Sequence, residues 1–206
     1  MMRFDLHMHT SRHSHDSEMD PIAMLQRAQE VGLDGIVITE HEYWWPDEEL
    51  QELRSMAPGL IVLAGIEVTA REGDVLCYGV REAKKLRKGM LWEDLCDEIH
   101  QQGGVAVAAH PFRWGQPFAD IMQNEAIHLD GMEMMSKNMD PDLRQQAAEY
   151  AREHPEYAQL GNSDSHHEST MGCCHTLFDV QIRNIADLVQ AIKDRKCRPV
   201  VGTPRG

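Results

Sequence analysis

Residues 20–41 read DPIAMLQRAQEVGLDGIVITEH: a capped helix, a turn, a short strand and then two chemically active side chains. Asp20 stands before Pro21 as a helix cap stands before a first-turn proline, whose missing N–H has no intrahelical partner to lose. Gly32 closes that helix. The run Gly35–Thr39 is short, apolar and rich in β-branched residues, the pattern of a strand buried on both faces. Glu40 and His41 follow at its carboxyl end.

The same pattern recurs outward from this stretch. Strand candidates are Arg3–Met8, Gly35–Thr39, Leu60–Val68, Val75–Val80, Val105–Ala109, Gly131–Met134, Ala158–Gly161 and Pro199–Val201. Between them, Asp140-Pro141 repeats the cap-and-proline device before Leu143–Glu153, Met90–Gln102 ends at Gly103-Gly104, and Asn184 is placed to cap Ile185–Lys196. Alternating strands and helices predict an α/β architecture with a parallel sheet covered by helices, and seven or eight strands favour its closure into a barrel. No repeat, low-complexity tract or Ser/Gly-rich linker interrupts the 206 residues, so a single domain, 1–206, is expected.

The chemistry-bearing residues fall where such a barrel would gather them. His7 and His9 sit two apart at the end of the first strand candidate. Glu40 and His41 end the second, Glu67 closes the third, His110 follows the Val105 run, and Asp164 and His166 follow Ala158–Gly161. The carboxyl ends of parallel barrel strands converge on one face, where active sites are built. Five histidines and at least two carboxylates there suit two divalent cations: neutral imidazoles supply affinity, and carboxylates bridge cations and offset their repulsion. Asp16, in the loop Ser14-His15-Asp16-Ser17, is within reach of a third. A single H-x-H pair is commonly incidental, and His13, His15, His100, His128, His154, His167 and His175 show histidine to be frequent here. The conjunction decides, because this many polar groups buried at strand ends would be costly unless paired.

Composition narrows the partners. A formal net charge of −14 argues against long nucleic acid or an anionic membrane surface, both of which need basic surface. It leaves a small phosphorylated substrate open, since bound cations reverse the local sign. The five cysteines (Cys77, Cys96, Cys173, Cys174 and Cys197) form no C-x-x-C pair, so neither a disulfide framework nor a structural zinc finger is expected. Adjacent Cys173 and Cys174 read as small buried residues. The start of the chain has no signal-like region, and no apolar stretch approaches the roughly 20 residues that span a bilayer. A cytoplasmic protein with no obligatory protein partner is the expectation.

As a set, these residues resemble a known family. H-x-H-T at His7–Thr10, S-x-D-S at Ser14–Ser17, G-L-D-G-I-V-I-T-E-H at Gly32–His41, G-I-E-V at Gly65–Val68, A-H-P at Ala109–Pro111 and S-D-S-H at Ser163–His166 are similar to motifs of the PHP superfamily, the polymerase and histidinol phosphatase phosphoesterases. They stand in the family's order and span almost the whole chain. The resemblance implies a distorted (β/α)7 TIM-like barrel holding two or three divalent ions (Mn, Zn or Fe). It implies one ion on His7, His9, Glu67 and Asp164, a second bridged by Glu67 and held by His110, and a third on Asp16, His41 and His166. Glu40, at a position usually acidic in the family, would stand behind these ligands or face solvent. Independently of the resemblance, Glu133 at the strand candidate Gly131–Met134 is placed to orient a ligand or a water. Many members carry a further histidine where this chain reads Gly73-Asp74-Val75; Asp74 is either an oxygen ligand in its place or a turn residue.

The implied activity is hydrolysis of a small phosphomonoester or short nucleotide by a cation-activated water. Arg113, three residues beyond His110, is either placed to grip a phosphate oxygen or a surface arginine. His167 and His15 are both candidates for the general acid. Trp44-Trp45 and Trp114-Gly115 suggest aromatic walls at the mouth. An amidohydrolase-like reaction at a carbonyl substrate and a non-catalytic PHP module are the alternatives.

Overall fold

The computed structural model describes residues 1–202; positions 203–206 of the expected domain lie outside them. Its strands are β1 (Met2–Asp5), β2 (Gly35–Ile38), β3 (Ile61–Thr69), β4 (Asp74–Tyr78), β5 (Val105–Ala108), β6 (Gly131–Met135), β7 (Ala158–Gly161), β8 (Cys174–Phe178) and β9 (Cys197–Val201). Its helices are α1 (Pro21–Glu30), α2 (Asp47–Met56), α3 (Trp92–Gln101), α4 (Phe118–Ile121), α5 (Pro141–Glu153) and α6 (Ile185–Lys193). The sheet runs β7-β6-β5-β4-β3-β2-β1-β8-β9. It curls until its ends meet: the Thr176 hydroxyl of β8 donates to the Gly161 carbonyl of β7 and accepts from the Gly161 N–H. The result is a nearly closed α/β barrel.

The caps act as the sequence implies. The Asp20 carboxylate accepts from the N–H groups of Ile22 and Ala23, Asp140 from Leu143, and Asn184 from Asp187. The nine described strands include β8, which the sequence reading omitted. Two of them break the uniform β/α repeat. β4 runs antiparallel to β3 and β5, because the turn after Thr69, which pairs with Asp74, is too short for a crossover helix. β8 runs antiparallel to β1 and β9. The first strand stops at Asp5 rather than Met8, and Met8 makes only an isolated bridge to Ser165. His7 and His9 therefore stand on a short extended segment just past β1.

Barrel closure sorts the apolar residues into layers. Phe4, Leu6, Val37, Leu63, Leu76, Tyr78, Val105, Val107 and Leu160 fill the interior with Leu188 and Ile192 of α6. The Tyr78 hydroxyl, inside this layer, donates to the Leu6 carbonyl at 2.9 Å. α6 packs where β4 leaves and β5 enters: Val189 touches Gly79, and Lys193 donates to the Gly103 carbonyl. That plugs the end opposite the histidine-bearing loops. Helices α1 and α2 bury Met24, Leu25, Leu50 and Leu53 against the outside of β2 and β3, while α3 and α5 cover the other side. No described helix is long and apolar enough to cross a membrane.

All five cysteines are free. Burial pushes the thiols of Cys96 and Cys197 up to about 12 and raises Cys77 well above its usual range. Cys173 alone moves down, stabilised by the neighbouring Cys174 thiol. Since thiolates are the nucleophiles, iodoacetamide at pH 8 should modify Cys173 first and the buried thiols only after denaturation. Rapid labelling of Cys96 in the folded protein would contradict this packing.

Candidate metal centre

Glu67 lies inside β3, fully buried at the barrel mouth, and a ring of imidazoles faces it. Its Oε2 is 3.2 Å from His7 Nε2, 3.1 Å from His9 Nε2 and 3.1 Å from His41 Nδ1, and its Oε1 is 3.3 Å from His110 Nε2. None of these nitrogens aims an N–H at the carboxylate with hydrogen-bond geometry, so both oxygens lack a donor. Asp164, also buried, brings Oδ1 to 3.3 Å from His7 Nε2 and 3.5 Å from His9 Nε2. His7 Nε2 and His9 Nε2 stand 3.1 Å apart. His166 stacks beside His9, and Asp16 joins the outer edge, its Oδ2 3.2 Å from His41 Nε2 and 3.3 Å from His166 Nε2.

The residues behind the ring explain its orientation. Glu133 accepts from His7 Nδ1 at 3.0 Å, which leaves the Nε2 lone pair to face the centre. The same carboxylate accepts from the Asn162 amide at 2.8 Å and the His110 backbone N–H at 2.8 Å. Glu40 does not touch a ring. It accepts from Thr10 N–H, the Ser14 hydroxyl and the indole N–H of Trp45, and Ser14 Oγ in turn lies 3.3 Å from His9 Nδ1. Asn138 donates to Asp164 Oδ2 at 2.6 Å, and Asp5 ties the chain after β7 to β1 by accepting from Ser163 N–H. The sequence reading singled out neither Asn138 nor Asn162, and it gave Ser14, quoted in its motif, and Asp5 no supporting role.

Three sets of donor atoms lie mutually within 4.8 Å: His7, His9 and Asp164; His7, Glu67 and His110; His9, His41 and His166. These clusters are able to hold divalent ions. The electrostatics agree. Burial alone would push the imidazoles down, but Asp164, Glu67 and Glu133 reverse this and hold His7 well above its ordinary value. For His9, Asp164 and Glu67 do the same, up to about 9. Burial would push Glu67 up, yet the His7 charge and the other imidazoles hold it well below the usual carboxylate range. A field that draws protons onto imidazoles draws cations as well, and the two compete for the same lone pairs. The unpartnered Glu67 carboxylate among imidazoles is thus a donor set able to hold a divalent cation.

Asp74 sits at the start of β4 with Oδ2 3.8 Å from His110 Nε2, so it borders the ring instead of sitting apart in a turn. Arg113 reaches the centre from the loop after β5, its Nη1 3.7 Å from Asp164 Oδ2. The aromatic residues behave differently from one another. Trp45 is fully buried as a support for Glu40, and Trp44 packs against the core, so neither forms a mouth wall; Trp114 is 83% exposed. His167 accepts at Nδ1 from the Ser169 N–H and caps the turn Glu168–Thr170, while His15 is exposed.

Residues 141–197 match the family model described as PHP-associated. The barrel superposes with a TM-score of 0.74, at 19% identity, on a two-domain protein of Bacteroides vulgatus containing a predicted PHP-like metal-dependent phosphoesterase, over 98% of this chain and 65% of that one. This chain has the PHP-like fold. It spans a little under two thirds of that two-domain relative. An amidohydrolase of Chromobacterium violaceum, solved with sulfate and without metal, superposes on this chain with a TM-score of 0.69 at 16% identity, covering 97% of this chain and 98% of its own. An uncharacterized protein of Methanocaldococcus jannaschii is 27% identical over 146 residues, 66% of this chain and 82% of the relative.

Orientation from behind yields a sharp expectation for this cluster of donors. Glu133→Gln keeps the volume but removes the charge that fixes His7. It should weaken Mn or Zn binding by about 10- to 100-fold, measured by competition with a calibrated chelator, while circular dichroism stays unchanged. Unaltered affinity would mean that His7 does not depend on Glu133 for its donor geometry.

Proposed function

We propose that this chain is a metal-dependent hydrolase of the PHP kind that cleaves a small phosphomonoester or a short nucleotide. The observation that carries the reading is the buried Glu67 carboxylate, without a hydrogen-bond donor, ringed by His7, His9, His41 and His110. When bound, divalent cations supply Lewis acidity that lowers the pKa of water and offsets charge gathering on the ester oxygens. His7, His9, Glu67 and Asp164 would hold one ion. Glu67, His110 and Asp74 would hold a second, and Asp16, His41 and His166 a third. Glu133 and Glu40 keep the imidazole lone pairs turned inward, the second through Ser14.

The phosphate preference rests on Arg113. A guanidinium offers a planar fork of donors that matches two phosphoryl oxygens, and this one stands beside Asp164 at the rim of the centre. A neutral carbonyl substrate offers no second anionic oxygen for that fork of donors. A covalent nucleophile has no place in this scheme: Cys77 and Cys174 are buried with raised thiol pKa values. The acidity of the whole chain favours a compact anion drawn by the local cations over a long polyanion. For protonation of the leaving oxygen, His15 and His167 are both candidates.

Chelator-treated protein should lose hydrolysis of an aryl phosphate and regain it with Mn or Zn. His9→Ala should lower kcat/KM by about 100-fold or more. Phosphate-ester cleavage that survives exhaustive chelation would overturn the reading, and turnover of amides or lactones with none of phosphate esters would replace it by an amidohydrolase-like one.

A further inference from the structure

The loop after β5 puts three non-glycine residues into the left-handed region: His110 at φ 30°, Phe112 at φ 69° and Trp114 at φ 56°. Side chains with a Cβ disfavour that backbone, so it persists only where the surroundings over-determine it. Two of the three have an evident return. His110 enters the donor ring, and Phe112 packs on Phe118 and Tyr150. The loop is pinned as well: the Gln116 side chain accepts from Phe112 N–H at 3.0 Å and donates to the Glu72 carbonyl at 2.7 Å.

Trp114 is the third, and burial does not explain it. Its indole is 83% exposed. Its one described aromatic contact is the Arg113 guanidinium, whose carbon lies 4.0 Å from the ring centroid. Arg113 is mostly covered, and its Nη1 points to Asp164. From the centre outward the order is Asp164, guanidinium, indole. A guanidinium with one face against an aromatic ring keeps its edge donors free and gives up little further freedom when an anion arrives.

We infer that Trp114 is a positioning residue for Arg113, holding the guanidinium flat so that its edge meets an anionic oxygen bound at the metal centre. The inference rests on the proposed phosphoesterase reading and deepens it: affinity for the phosphoryl group is set partly by an exposed indole that touches no reacting atom. Because Trp114 is exposed, its removal leaves the core intact. A stack of this kind at an exposed position corresponds to about a two- to fivefold effect on affinity.

The test is a double-mutant cycle on the manganese-loaded protein, read by calorimetric binding of inorganic phosphate and by kinetics with one aryl and one alkyl phosphate. R113A should weaken phosphate binding about tenfold or more. W114A should weaken it about two- to fivefold and raise KM for both esters alike, with kcat within about twofold, and W114F should recover most of the loss. In the R113A background, W114A should change nothing further. Equal losses from W114A in both backgrounds, or none in wild type, would overturn the inference. A loss confined to the aryl ester would overturn it too, making the indole a substrate platform. Wild-type protein that binds no phosphate and cleaves neither ester would overturn the phosphoesterase reading and the inference with it.

Discussion

Two carboxylate oxygens on one strand set the terms for the mouth of this barrel. Glu67 is buried, carries charge, and has no N–H or O–H aimed at it. An ionised carboxylate withdrawn from water is among the least tolerable groups in a protein unless positive charge stands beside it. Here the groups set beside it are imidazoles drawn from three separate segments of chain, His7 and His9 after β1, His41 after β2 and His110 after β5, and the same ring has the composition of a cation cage. Hydrophobic closure of the barrel brings these groups together; the residues behind them decide which way each faces.

That division runs through the whole molecule. The plugged end holds Phe4, Leu63, Val105 and the apolar face of α6 and supplies stability. The open end holds backbone in uncommon conformations, including Asp164 at φ 52° as well as the three residues after β5. Polar support at that end is layered. Glu133 serves His7, His110 and Asn162 at once, and Glu40 serves Thr10, Ser14 and Trp45. One carboxylate satisfying several donors is economical in a confined space, and it couples those donors, so loss of either glutamate disturbs several partners together.

Much of this was legible in the sequence, for physical reasons. Short strand-like runs that end in His, Glu or Asp read as strand termini, and barrel closure converts those termini into neighbours; the structure brings His7, His9, His41, Glu67, His110, Asp164 and His166 together at one mouth. Direction was harder to read. β4 looks like any apolar strand, and only the brevity of the Arg71-Glu72-Gly73 connection betrays its reversal. β8 was hidden because Cys174-His175-Thr176 carries polar atoms and follows a loop dense in Ser, His and Gly. The helix α2 was passed over because its face is mostly charged, with Leu50 and Leu53 as its buried residues. Asn138 and Asn162 gave no signal, since an amide that orients a carboxylate is indistinguishable in sequence from one in a turn. Trp45 misled: a tandem of tryptophans after a strand suggested a mouth, but burial with an indole N–H on Glu40 was the more stable use.

The claim on which everything else depends is that these imidazoles and carboxylates surround shared cations. Anomalous diffraction from crystals grown with Mn or Zn tests it directly. The account predicts peaks within about 2.0–2.3 Å of His7 Nε2 and His9 Nε2, with Glu67 bridging to a second peak beside His110. Strong anomalous peaks only at surface carboxylates, with the Glu67 ring holding water alone, would contradict it.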